Sequence, residues 1–225
     1  MTATAPSPPL TGELWSRSKE TFEAILAHPF LTGLTSGELT REQFAHYVVQ
    51  DAHYLRGYAK ALSTLAGRAG AEDTTAMFAA HAANAIAVER SMHAEVLTEL
   101  GLDPNQPPEA GPTTVAYRSY LLAAVHGTSF LEGVGAVLPC YWIYWEVGKA
   151  LSDRASPDPL YARWIRTYSG EEFGTVVQQA LELTDRLGVT ASAAERTQAS
   201  ESYQVATRYE WMFWDAAHRL ETWPL

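Results

Sequence analysis

With 225 residues the chain can form one large domain or at most two small ones, and its 47% hydrophobic content is that of an ordinary globular core. A formal net charge of −10 argues against a nucleic-acid backbone or an anionic membrane surface as partner, because either would be repelled. The single cysteine cannot close an intrachain disulfide, and no uncharged apolar run reaches membrane-spanning length, so a cytoplasmic location is expected.

Met1 to Pro9 is small and proline-rich and reads as a flexible tail ahead of a single domain, residues 10–225. A first helix is predicted from about Gly12 to Ala27, ending before His28-Pro29, where the residue preceding proline disfavours helix. A short piece follows from Phe30 to Gly37. Thr40-x-x-Gln43 has the form of a capping box and opens a helix reaching about Gly67. Asp73 is the expected cap of an alanine-rich helix that runs to Leu100, stops at Gly101 and packs close against a neighbour. After a proline-rich loop, Asp103 to Pro112, a helix runs from Thr113 to about His126.

Ser129-x-x-Glu132 opens the central helix, which carries Leu138-Pro139-Cys140-Tyr141-Trp142-Ile143-Tyr144-Trp145. Pro139 removes one N–H and frees the Gly135 carbonyl, so a bend is expected beside the only thiol. Tyr144 lies one turn beyond Cys140 on the same face. Further helices are expected near Leu160 to Tyr168, from a Ser169-x-x-Glu172 box to about Leu187, and from a Ser192-x-x-Glu195 box to about Leu220. No strand-like alternation persists beyond a few residues. The fold class is all-α, a single helical bundle.

Polar groups on apolar faces locate the chemistry. Tyr47, Asp51, Tyr54, Leu55 and Tyr58 share one helical stripe, and a carboxylate buried there without partners would cost several kcal/mol. Glu210 is set among Tyr209, Trp211, Phe213 and Trp214 in the last helix. Structural roles compete at each position: a small thiol at a packing kink, and an acid held by tyrosine hydroxyls. Together, two acids in aromatic settings and a thiol suggest a pocket for a flat, nitrogen-rich ring. Aromatic walls stack on planar rings, and a carboxylate can accept parallel hydrogen bonds from an amino group and an adjacent protonated ring nitrogen. An electron-poor ring carbon is then open to thiolate addition, and a second acid can shuttle protons.

Tyr47-Val48-Val49-Gln50-Asp51, Leu138-Pro139-Cys140-Tyr141-Trp142, Glu146-Val147-Gly148, Thr167-Tyr168-Ser169-Gly170 and Tyr209-Glu210-Trp211-Met212-Phe213-Trp214, with the early His28-Pro29-Phe30, resemble the TenA (thiaminase II) family from about residue 13 to the C-terminus. The resemblance implies a haem-oxygenase-like helical fold without haem, a homotetramer, and cofactor-free hydrolysis in thiamin salvage. Family members release 4-amino-5-hydroxymethyl-2-methylpyrimidine from aminomethylpyrimidine and, more slowly, cleave thiamin. By position, the resemblance makes Cys140 the nucleophile, Asp51 the ligand of the 4-amino group and ring nitrogen, and Glu210 the proton shuttle. Tyr54, Tyr117, Tyr144 and Tyr168 would surround ring and thiol, with Phe213 as a stacking wall. Trp145 departs from the smaller aromatic expected there, and Ser169-Gly170 replaces a Gly-Gly pair.

Two carboxylates near Cys140 would disfavour its thiolate, so a resting thiol is expected. Two other classes compete. Glu89-x-x-x-His93 and Asp215-x-x-His218 have the helical spacing of a di-metal oxidase, although His53, His81 and His126 complete no ligand set. A non-catalytic pyrimidine-binding regulatory protein would bind without releasing amine. No zinc spacing or phosphate-cradling glycine loop is present, and no metal ligands are assigned.

Overall fold

The computed structural model describes residues 8–88, 94–101, 108–127, 129–154 and 156–224. Among these, ten helices and no strand occur: α1 Leu10–Leu26, α2 Pro29–Ser36, α3 Arg41–Arg68, α4 Glu72–Val88, α5 Ala94–Glu99, α6 Pro112–Val125, α7 Phe130–Ser152, α8 Pro159–Ser169, α9 Glu171–Thr190 and α10 Ala193–His218. No helix is long and apolar enough to cross a membrane among the described residues.

The caps show which local signals acted. Thr40 Oγ1 accepts from Gln43 N while Gln43 Oε1 accepts from Thr40 N, and Ser192 and Glu195 make the same reciprocal pair. Ser129 accepts from Glu132 N. The box expected at Ser169 does not form. Ser169 is the last residue of α8, with its hydroxyl turned back to the Arg166 carbonyl, and extended Gly170 precedes α9 without a side-chain cap. Asp73 is likewise not a cap. α4 starts one residue earlier, and Asp73 instead accepts from Thr74 N and pairs with Arg186 of α9.

The first helix begins two residues sooner than its composition suggests, because Leu10 is buried and Thr11 binds Asp185 through both its N–H and its hydroxyl. The expected continuous helix from Asp73 to Leu100 is described as α4 and α5, and residues 89–93 lie outside the described set. Gly101, at φ 77°, closes α5. Most of the expected tail and the first half of the Asp103–Pro112 loop also fall outside the described residues.

α7 runs unbroken through Pro139 and forms the axis of the bundle, touching α1, α3, α6, α8, α9 and α10. Two glycines set its distance from its neighbours. A Cβ on Gly135 would collide with the Ala199 carbonyl of α10, so glycine lets those two backbones meet. A Cβ on Gly148 would lie 2.5 Å from the Tyr168 carbonyl carbon and 2.7 Å from Ser169 N, so glycine seats the end of α8 on α7. On the opposite side, α3 lies between α7 and the alanine-rich α4, and the expected close packing of α4 is realised against α3.

Candidate active site

Five helices deliver the site residues to the centre of the bundle. α3 brings Asp51, Tyr54 and Tyr58, α7 brings Cys140, Tyr141 and Tyr144, the last turn of α8 brings Tyr168, and α10 carries Glu210 and Phe213. α6 adds Tyr117. A cavity of about 900 Å³ opens among them, and Asp51, Tyr58, Cys140, Tyr141, Tyr144 and Tyr168 line it. Its outer part is walled by residues of α4, the α8–α9 junction and α9, including His81, Asn84, Arg166, Glu171 and Phe173. Cys140 is partly accessible and Asp51 is buried at 3% exposure, so the thiol opens onto the cavity while the acid sits in its wall.

Glu210, Tyr54, Tyr117 and Phe213 stand one layer behind that lining, all nearly inaccessible. Tyr117 donates to Glu210 Oε1 at 2.7 Å. The Tyr54 ring is 4.8 Å from Tyr117 and 5.7 Å from Phe213. Phe213 packs against Tyr54 and, at 5.9 Å, against Tyr47. Tyr144 is held from three sides: Tyr47 donates to its hydroxyl at 3.3 Å, Tyr168 lies 4.9 Å away and Trp214 5.1 Å away. Tyr54 is buried beside the Cys140 sulfur.

The electrostatics define a protonated resting site. Burial pushes the Cys140 thiol well above its ordinary range; Glu210 and Asp51 push the same way, against the Tyr54 and Tyr58 hydroxyls. The expected direction holds, but burial outweighs the two acids as its cause. Burial also lifts Glu210 to about 8, helped by Asp51 and opposed by the Tyr117 hydrogen bond. At neutral pH Glu210 thus holds a proton in a site that contains a second carboxyl. Burial raises Tyr144 and Tyr168 as well, so they act as hydrogen-bond donors and not as bases.

The two departures from the family pattern lie at different distances from the cavity. Trp145 packs against Gly174 of α9 and under the Lys149 ammonium at 3.8 Å, whereas Ser169 sits between Tyr168 and Gly170, both of which line the cavity. Of the di-metal candidates, Glu89 and His93 lie outside the described residues. Asp215 pairs with Arg219 at 2.7 Å and with His28 at 3.6 Å, and no group of three metal-ligating side chains gathers among the described residues. Tyr58, Tyr141 and His81 are site residues that the pattern alone did not single out. Tyr58 shares the Asp51 stripe, a usable signal, whereas nothing in alanine-rich α4 marks His81.

A ligand-sized cavity bounded by a thiol, an acid and tyrosines, with a proton-bearing carboxyl behind it, opens inside an all-α bundle of haem-oxygenase-like form. The same fold is seen in a domain of unknown function with a heme oxygenase-like fold from Shewanella denitrificans, with a TM-score of 0.73 over 93% of this chain and 92% of that one at 16% identity. The chain belongs to the TENA/THI-4/PQQC family, which matches residues 15–220. It is 34% identical to the aminopyrimidine aminohydrolase of Bacillus subtilis, over 94% of this chain and 90% of that protein. It is 37% identical to the thiamine biosynthesis multifunctional protein ThiED of Corynebacterium efficiens, but spans 29% of that protein's length. Among solved structures, a TenA homologue from P. horikoshii OT3 superposes with a TM-score of 0.87 at 27% identity, over 94% of this chain and 99% of that one.

Proposed function

We propose that this chain is an aminopyrimidine aminohydrolase, a thiaminase II-type hydrolase of C–N bonds in thiamin salvage, which releases 4-amino-5-hydroxymethyl-2-methylpyrimidine. The observation that carries this reading is the opening of Cys140 onto the same cavity as Asp51, Tyr144 and Tyr168, with Glu210 close enough behind to raise the thiol. The kinship with aminopyrimidine aminohydrolases supports it.

In this mechanism Asp51 pairs with the 4-amino group and protonated ring nitrogen, drawing electron density from the ring. The Cys140 sulfur adds to the ring carbon beside the substituted one, and the thiol loses its proton. Glu210, protonated at rest, gives its proton to the departing amine, whose bond to the exocyclic methylene breaks. Water adds to that methylene and returns a proton to Glu210, and the sulfur then leaves. Tyr144 and Tyr168 flank the ring, while Tyr54 and Tyr117 orient the thiol and Glu210 from behind. The roles need no cofactor, and the same reading makes the protein a cytoplasmic homotetramer.

A turnover assay with aminomethylpyrimidine and with thiamin, run in EDTA on wild type and Cys140→Ser, tests it. Amine release by wild type and a loss on the order of 10³-fold in the serine variant are expected. Turnover surviving the substitution, or requiring a metal that EDTA removes, would overturn the reading.

A further inference from the structure

The mechanism leaves the thiol proton without an acceptor. Glu210 already carries a proton at neutral pH and holds Tyr117, so it begins the cycle as an acid. Asp51 is committed to the pyrimidine in the reading above. A third route leads from the sulfur toward α4.

Tyr58 lines the cavity together with Cys140 and Tyr141. The Tyr58 and Tyr141 rings meet edge to face at 5.7 Å. Tyr141 Oη is 3.0 Å from His81 Nδ1, and His81 Nε2 is 2.9 Å from Gln179 Oε1 of α9. With an amide oxygen facing Nε2, that nitrogen carries the hydrogen and Nδ1 is left as an acceptor toward Tyr141. His81 is 6% exposed and forms part of the cavity lining.

We propose that His81 takes up the Cys140 proton during covalent catalysis, through a hydroxyl relay formed by Tyr58 and Tyr141. The inference rests on the aminohydrolase reading. As the S–C bond to the ring forms, the S–H bond breaks and the proton passes to Tyr58. Tyr58 gives its own proton to Tyr141, and Tyr141 gives its own to His81 Nδ1. The imidazolium then donates from both nitrogens, to Tyr141 and to Gln179. When the C–S bond breaks after water has added, the same protons return.

At rest Tyr58 donates to the Val137 carbonyl at 3.1 Å, so rotation of one hydroxyl toward Tyr141 connects the relay. Burial keeps His81 neutral near pH 7, ready to accept, with Gln179 as its opposing influence. The groups facing it are Tyr141 from α7 and Gln179 from α9, with Tyr58 of α3 behind Tyr141. The charged side chains sharing its cavity are Asp51 of α3, Arg166 of α8 and Glu171 and Glu172 of α9.

Two readouts on the intact protein test the relay: iodoacetamide alkylation of Cys140 against pH, and kcat for aminomethylpyrimidine against pH. His81→Ala is expected to slow alkylation near pH 7.5 by about fivefold and kcat by on the order of 10²-fold. Free imidazole is expected to restore part of both losses. Gln179→Glu, which keeps the histidine and the packing, is expected to make the imidazole more basic and raise the acidic limb of the kcat profile by about one pH unit. An unshifted limb in Gln179→Glu, or His81→Ala within threefold of wild type in alkylation, overturns the relay. If His81→Ala does not fold, the Gln179→Glu profile decides; if wild type turns nothing over, the aminohydrolase reading fails and alkylation alone judges the relay.

Discussion

A buried acid that keeps its proton ties stability to catalysis at a single residue. The Glu210 carboxyl, raised from an ordinary value of 4.5 to about 8 in the fold, binds a proton that the unfolded chain releases as pH rises through 4.5. The native state therefore binds more protons than the unfolded state between those values, and stability falls as pH climbs through that window. Glu210→Gln removes the liability. Thermal melts should show the variant level with wild type near pH 4.5 and increasingly more stable toward pH 8, by roughly a few kcal/mol at the upper end. Its amine release should fall by on the order of 10²-fold. A variant whose advantage shrinks as pH rises contradicts this account. At Asp51, the isosteric Asn keeps the shape but loses the charge-assisted pair. We expect Asp51→Asn to weaken kcat/KM by about 10- to 100-fold, the worth of roughly 1.5–3 kcal/mol, in steady-state kinetics.

At the scale of the element, the site depends on how closely helices approach one another. Gly148 lets the last turn of α8 rest on α7, and that turn carries Tyr168, which faces Tyr144 at 4.9 Å. Gly148→Ala should cost about 1–3 kcal/mol in chemical denaturation, because a methyl cannot fit against the Tyr168–Ser169 peptide. It should also lower kcat/KM, since relief comes from moving Tyr168. Substitution at Gly12, where a Cβ meets nothing within 4 Å, should cost neither and serves as the control. The short α2 acts on the site from below. His28 caps it through Nδ1 and Phe30 N at 3.1 Å, and Phe30 then packs 5.3 Å from Tyr47 and 5.4 Å from Trp214, the residues that hold Tyr144.

At the scale of the whole molecule, the cavity of about 900 Å³ exceeds what one pyrimidine ring fills, so the outer region between α4 and α9 leaves room for a substituent on the ring. A ligand that binds only the folded state stabilises it by mass action. Aminomethylpyrimidine or its hydroxymethyl product at a hundredfold excess over Kd should add about 2.7 kcal/mol. A thermal-shift titration checks this, with Asp51→Asn expected to blunt the shift; an equal shift in that variant would place binding elsewhere.

The helical class, the chain order of the helices and most caps were readable from local rules, because a capping box or a glycine stop acts within one turn. The exceptions are Ser169, whose hydroxyl turns back to the Arg166 carbonyl of its own helix, and Asp73, which lies inside α4 and pairs with Arg186 of α9. The thiol, the two acids and the tyrosine stripe were legible because polar groups on apolar faces cost too much to be there idly. Their layering was not legible: that Asp51 and Cys140 line the cavity while Glu210 and Phe213 stand behind it follows from how far each helix is offset from the next. Gly135 and Gly148 set those offsets through contacts with residues far along the chain. His81 reaches Tyr141 across sixty residues of sequence, and no periodicity within either helix encodes that meeting. Residue chemistry belongs to the chain alone, whereas the proton affinity of a thiol or a carboxyl depends on the water and charge around it, and only tertiary packing sets those.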